Sequence, residues 1–155
     1  MEFDIIDMQI YDVAEVSRMN ADIVTKSIIL NRKLNKILLL KREKQDSIGA
    51  NTWENAGGNV ECGEELEEAT KREIKEETGI TDISIERVAY VTLVNGKKPY
   101  LIVAYLCETL TDTITLSDEH QAFIWADKEE CKKLLPKEII ADFERNKIFE
   151  CLEML

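Results

Sequence analysis

Histidine is nearly absent from this chain: 155 residues contain one, His120. The four cysteines, Cys62, Cys107, Cys131 and Cys151, include no CxxC pair. Both shortages argue against a zinc site, which needs closely spaced Cys and His ligands. Scattered thiols without a disulfide pattern fit a reducing, cytoplasmic setting. No apolar run approaches the roughly 20 residues of a membrane span. The opening MEFDIIDMQIYDVAEV has no basic n-region and is interrupted by Asp and Glu, so it does not read as a signal peptide. No run of Lys and Arg is long enough for a nucleic-acid backbone site. Repeats, low-complexity stretches and Pro/Gly/Ser linkers are also missing, so residues 1–155 read as a single domain.

Negative charge is abundant. Asp and Glu number 31 against 20 Lys and Arg, giving a net charge of -11 and a pI of about 4.7. With 45% apolar residues the composition is that of a globular protein. An acidic protein can bind phosphates if it finds local positive charge, and a divalent cation is the obvious source.

Along the chain, residues 3 to 11 read as an edge strand within a strand-like extension, 1–21. DIVTKSIILN (22–31) and KILLLKR (36–42) read as strands joined by the hairpin turn RKLNK. The polar stretch from Gln45 to Gly63 reads as a loop and contains Gly57 and Gly58. From Glu64 the pattern becomes helical: Leu66, Thr70 and Ile74, with Ala69, form one narrow stripe, and Thr78-Gly79 stops the helix. Residues 83–94 and 100–110 read as strands around the turn NGKKP, and 123–126 as a short strand. Lys128–Leu135 reads as a short helix. A final amphipathic helix is expected over 137–155, with Pro136 at its first turn. This order suggests a mixed sheet flanked by helices.

On that first helix, Glu73, Glu76 and Glu77 stand at i, i+3 and i+4 and project from one face, where like charges disfavour the helix. A bound divalent cation would reverse the sign of that interaction, since hard cations prefer oxygen ligands. Arg72 is placed to pin carboxylates, including Glu64 two turns back. A Glu-rich helix is ordinarily a solvated face, and the spacing alone does not decide between the two readings.

The whole segment is more specific. Gly58, Glu64, Arg72-Glu73-Ile74, Glu76-Glu77 and Gly79-Ile80 fill every defined position of GX5EX7REUXEEXGU, where U is aliphatic. The chain therefore resembles the Nudix family, and KILLLKR, the Trp53-to-Gly58 approach and FIWADKEECKKL resemble it too, over roughly residues 22–135. The resemblance implies an α+β fold of the α/β/α sandwich type, with a mixed sheet. It also implies an Mg²⁺- or Mn²⁺-dependent hydrolase of a nucleoside diphosphate linked to another group. Glu73, Glu76 and Glu77 would ligate the metal, joined by the Gly57 carbonyl, with Glu64 and Arg72 as organisers. Glu73 or Glu119, the latter in LSDEHQAFIW, would take the proton of the attacking water; the sequence does not choose between them. His120, beside Glu119, reads as a structural hydrogen-bonding residue.

Gly57, Gly58 and Arg42, with Lys41, could meet substrate phosphates, although Lys and Arg at a strand end are ordinarily solvated. Trp53, Tyr100 and Trp125 could stack a base, though packing is their commoner role. Cys62 reads as a small semi-buried side chain. Ala56 stands where many members have Pro. A nucleoside triphosphate or dinucleoside polyphosphate is the first-ranked substrate. Alternatives are an ADP-sugar hydrolase, a non-catalytic nucleotide-binding module and, distantly, an isomerase. The family resemblance also allows a homodimer.

Overall fold

The structure, a computed structural model, describes residues 19–153. The strand expected over 3–11 lies outside them. The elements are β1 (Asp22–Asn31), β2 (Lys36–Arg42), β3 (Trp53–Glu54), β4 (Ala56–Asn59), α1 (Leu66–Thr78), β5 (Ser84–Val94), β6 (Tyr100–Thr109), β7 (His120–Ala126), α2 (Lys128–Leu134) and α3 (Lys137–Arg145), followed by a 3-10 turn, Phe149–Leu152. Among the described residues no helix is long and apolar enough to cross a membrane.

The seven strands form one mixed sheet. β1 lies parallel to β6, while the remaining pairings are antiparallel. Both faces of β1 and β2 are covered, which explains why IILN and ILLL are continuous apolar runs rather than alternating ones. Ile28, Leu30, Ile37 and Leu39 face a cluster with Phe143, Ile148 and Phe149 from the C-terminal elements. Ile29, Leu38 and Leu40 face Ile74 and Ile80 on the α1 side. Full burial of each such side chain contributes about 1.5–3 kcal/mol. The expected sandwich, with a mixed sheet between helices, is therefore the observed one.

One detail of the sheet builds the site. β1 and β2 pair only at Leu30–Ile37 and Asn31–Lys36, beside their turn, and then part. The short strands β3 and β4 line the split: β3 pairs β2 at Leu40 and Lys41, and β4 pairs β1 from Val24 to Ser27. The stretch Gln45–Gly63 is thus not wholly loop. Its two strands are too short and too glycine-rich to show a strand pattern, and they form because the open edges of β1 and β2 supply backbone partners.

The final helix is also shorter than expected. Lys147 adopts a left-handed φ of 58°, and the chain re-enters a 3-10 turn at Phe149. The break is fixed by packing: it turns Phe149 so that its ring meets Phe143 edge-on, 5.5 Å between centroids.

Candidate active site

The site is built on α1. Glu65 precedes its first residue and donates its amide to Glu68 Oε2 at 3.3 Å; Gly79, at φ 75°, closes it with its amide on the Lys75 carbonyl at 3.0 Å. The face packed on the sheet carries Ala69, Thr70, Ile74, Glu77 and Thr78. Glu77 follows Ile74 by three positions, so helical geometry drives its carboxylate inward with the apolar stripe.

The three box carboxylates consequently occupy two environments. Glu73 and Glu76 sit over Arg72, whose Nη1 donates to Glu73 Oε1 at 2.8 Å and to Glu76 Oε2 at 3.3 Å. The same guanidinium grips Glu64 at both oxygens, 2.6 and 3.0 Å, and donates to the Asn59 carbonyl at 3.1 Å. Arg72 thereby holds Glu64 to about 2, far below the usual carboxylate range, by hydrogen bonding. Partial burial raises Glu73 above its ordinary value, and Arg72 opposes that; Glu76 and Glu119 nearby add to the rise. Glu77 is 3% exposed and accepts the Gly57 amide at 3.3 Å. Burial pushes its carboxyl up to about 8. Among the described residues no ion pair reaches Glu77. A buried carboxylate with that profile, aligned with two more, suits a divalent cation, which would favour its charged form.

Gly57 and Gly58 are required by close approach. A Cβ on Gly57, at φ 157°, would strike the Thr25 carbonyl on β1. On Gly58 it would fall 2.5 Å from Glu73 Oε1. The second glycine thus lets the Glu73 carboxylate lie against the β4 backbone.

Arg42 does not stand free. It pairs with Glu54 at 3.2 Å and with Asp46 at 3.2 Å. Glu54, which sequence reasoning passed over, is the hub of the split in the sheet: it also accepts Lys26 Nζ at 3.1 Å and faces His120 Nε2 at 2.9 Å. Burial raises its carboxyl, but His120, Lys26 and Arg42 together outweigh that and hold it at about 2. Glu119 is exposed at the start of β7, and its carbonyl accepts the Glu43 amide at 3.0 Å. One donor atom each from Glu77, Glu119 and His120 lie within 4.8 Å of one another. The structure therefore brings Glu64, Arg72, Glu73, Glu76, Glu77, Gly57, Gly58 and Glu119 to one region, and ties Arg42 into the network beneath it.

The aromatic candidates are mainly packed. Trp53 joins the C-terminal-side core beneath Lys41, 6.0 Å from its ring, and Trp125 Nε1 donates to the Asp112 carbonyl at 3.0 Å. Tyr100 is exposed at the hairpin end. Cys62 is exposed rather than semi-buried, because the chain between β4 and α1 runs over the surface with Glu61 and Gly63.

Comparison with known proteins agrees with the fold. The model of the NUDIX domain matches residues 23–145. The nucleoside triphosphatase NudI of Salmonella paratyphi B is 32% identical over 104 residues, 60% of this chain and 74% of the relative. Among solved structures, a MutT protein from Methanosarcina mazei Go1 superposes with a TM-score of 0.71 at 28% identity, covering 84% of this chain and 96% of that one. A C. elegans Ap4A hydrolase in a binary complex gives 0.70 at 26% identity, covering 83% and 97%. Box, fold and matched span agree, and the chain belongs to the NUDIX family of hydrolases.

Proposed function

We propose that the protein is a divalent-cation-dependent pyrophosphohydrolase whose substrate is a nucleoside triphosphate. The observation that carries this is the carboxylate array of α1, with Glu73 and Glu76 clamped by Arg72 while Glu77 is drawn inward. The resemblance to a nucleoside triphosphatase favours the substrate class. A dinucleoside polyphosphate is the second reading, favoured by the likeness to an Ap4A hydrolase.

Glu73, Glu76, Glu77 and the Gly57 carbonyl are the groups that would hold Mg²⁺ or Mn²⁺. Such an ion withdraws charge from the pyrophosphate oxygens and acidifies water. Arg72, itself gripped by Glu64, fixes Glu73 and Glu76 of that set. Gly58 leaves the space in front of Glu73 clear. Glu73 is the proton acceptor in this reading: Arg72 Nη1 holds its Oε1 at 2.8 Å, and among the described residues no hydrogen bond reaches its Oε2. Glu119 stands across from it as the second acidic group.

The test is incubation with nucleoside triphosphates, diadenosine polyphosphates and nucleotide sugars, with and without Mg²⁺, and chromatography of the products. Cation-dependent release of pyrophosphate and a mononucleotide from triphosphates is expected. Binding without any cleavage would replace the hydrolase with a nucleotide-binding module.

A further inference from the structure

β5 is an outer strand of the sheet. Among the described residues it pairs only with β6, so its other edge has no strand beside it. Irregularities at Ile85–Arg87 and Val88–Tyr90 bend its first half, and Tyr90–Val94 then runs in regular register with β6. One face of this region is apolar. Ile23 on β1 meets Leu101 on β6, which meets Leu93 on β5; the next row is Thr25, Val103 and Val91, and the next Ser27, Tyr105 and Val88. On this face Val103 and Tyr105 are buried in the cluster of Ile74 and Ile80. The cover stops there: Ile23, Val88, Val91 and Leu93 are between 41% and 55% exposed. An open apolar edge strand attracts other chains, and folded proteins ordinarily cover it.

The chain carries a segment suited to that role. Residues 1–18 precede the described structure and join it at Met19. Met19, Asn20, Ala21 and Asp22 line one pocket with Lys97, Lys98 and Pro99, and the Asp22 amide donates to the Pro99 carbonyl at 3.1 Å. The segment therefore arrives against the turn that joins β5 to β6. It contains Glu2, Asp4, Asp7, Asp12 and Glu15, with no Lys or Arg before Arg18, while Lys97 and Lys98 on the turn are exposed. Residues 11–18 can span about 25 Å when extended. β5 lies two strands from β1, about 10 Å across the sheet. Ile6-Asp7-Met8-Gln9-Ile10 alternates apolar and polar as a half-covered strand does, and it matches Tyr90–Val94 in length.

We propose that residues 6–10 pair with the open edge of β5 along Tyr90–Val94 as a further strand of the sheet. Ile6, Met8 and Ile10 extend the apolar rows of Val91 and Leu93, and Asp12 and Glu15 pass Lys97 and Lys98. The inference stands apart from the hydrolytic reading, since none of these residues belongs to the carboxylate array.

The experiment is amide hydrogen exchange of the full chain at several protein concentrations, read by mass spectrometry on peptides covering 3–11 and 88–95. Amides of residues 6–10 should exchange at least about tenfold more slowly than in an unstructured chain, independently of concentration. Met8→Glu sets a charge against the apolar face. It should return residues 6–10 to within about twofold of the unstructured rate and speed exchange at Tyr90–Val94, with β1 and β6 unchanged. Val91→Glu should do the same from the other strand. Met8→Glu alters no residue of the described core, so it decides if Val91→Glu does not fold. Fast exchange of residues 6–10 in the wild type overturns the proposal. Protection of either segment that fades on dilution also overturns it, since a second copy then covers the edge. Protection of residues 6–10 that survives Met8→Glu places the segment elsewhere and overturns it too.

Discussion

Arg72 and Glu64 are joined twice, Nε to Oε2 at 2.6 Å and Nη2 to Oε1 at 3.0 Å, so one residue before α1 sets the plane of a guanidinium two turns into it. Glu64→Gln halves the charge-assisted pairing and lets Arg72 rotate away from Glu73 and Glu76. Turnover should fall by about 10- to 100-fold, as for other groups that orient ligands, with the far-UV dichroism unchanged. An unchanged kcat would make the pair a surface bridge.

Glu77 predicts a pH dependence of stability for protein freed of cations. Its folded value, about 8, is above its ordinary 4.5, so the folded state holds the proton more tightly than the unfolded one. Its contribution is intact below pH 4.5 and is lost as pH rises through about 8. Melting in EDTA should therefore show Tm declining over this window. Glu77→Gln, neutral at every pH, should remove most of the decline while abolishing cation binding. Saturating Mg²⁺ or Mn²⁺ should restore the wild type at high pH, since binding selects the charged carboxylate. Parallel profiles of wild type and variant would remove Glu77 from this role.

The adjacent glycines should fail differently. The Cβ of Gly57→Ala meets the β1 backbone, within 2.9 Å of Lys26 Cα, which cannot step aside. A loss of about 1–3 kcal/mol is expected in denaturant titration. In Gly58→Ala the obstacle is the end of the flexible Glu73 side chain. That variant should stay close to wild-type stability and lose activity. Equal stabilities would mean β4 is not held against β1 as described.

Glu73→Gln should cut kcat by about 10²–10⁴-fold, the range of a lost general base. Glu119→Gln should lower kcat by a smaller factor, since Glu119 is exposed beside the array. If Glu119→Gln instead shows the larger kcat loss with cation affinity intact, the proton goes to Glu119.

Lys147 holds a left-handed φ of 58° between α3 and the last turn. A residue with a Cβ loses about 1–2 kcal/mol there, partly offset by its lower entropy when unfolded. Lys147→Gly should raise stability by about 0.5 kcal/mol, measured by urea titration. A lower midpoint would show that the lysine side chain itself holds the bend.

The carboxylate cluster was legible because α1 writes its chemistry in helical spacing, but the reading of one projecting face holds only for Glu73 and Glu76: Glu77 goes inward with Ile74, three residues before it, once that stripe packs on the sheet. The clamp by Arg72 on Glu64 was legible for the same reason. Glu54 was not. Its partners Lys26, Arg42 and His120 come from three other strands, and such meetings depend on tertiary register rather than on local pattern. β3 and β4 were hidden because two residues of WE are too few to show an alternation, and strand pairing can recruit AGGN against its low strand propensity. The break at Lys147 was hidden because lysine is a good helix former and only the packing of Phe149 overrules it.

The parallel pairing of β1 with β6, from Asp22–Tyr100 to Asn31–Thr109, has a consequence in time. β1 is made early and its long partner late, with β2, β3, β4, α1 and β5 synthesised between them. Contacts so distant in sequence close slowly, since the intervening loop must be ordered first. β2 and β4 occupy the other edge of β1, so until β6 arrives the edge it will pair is bare over Asp22–Asn31. Slow synthesis or heat would endanger the nascent chain at that edge, which no element made before β6 covers.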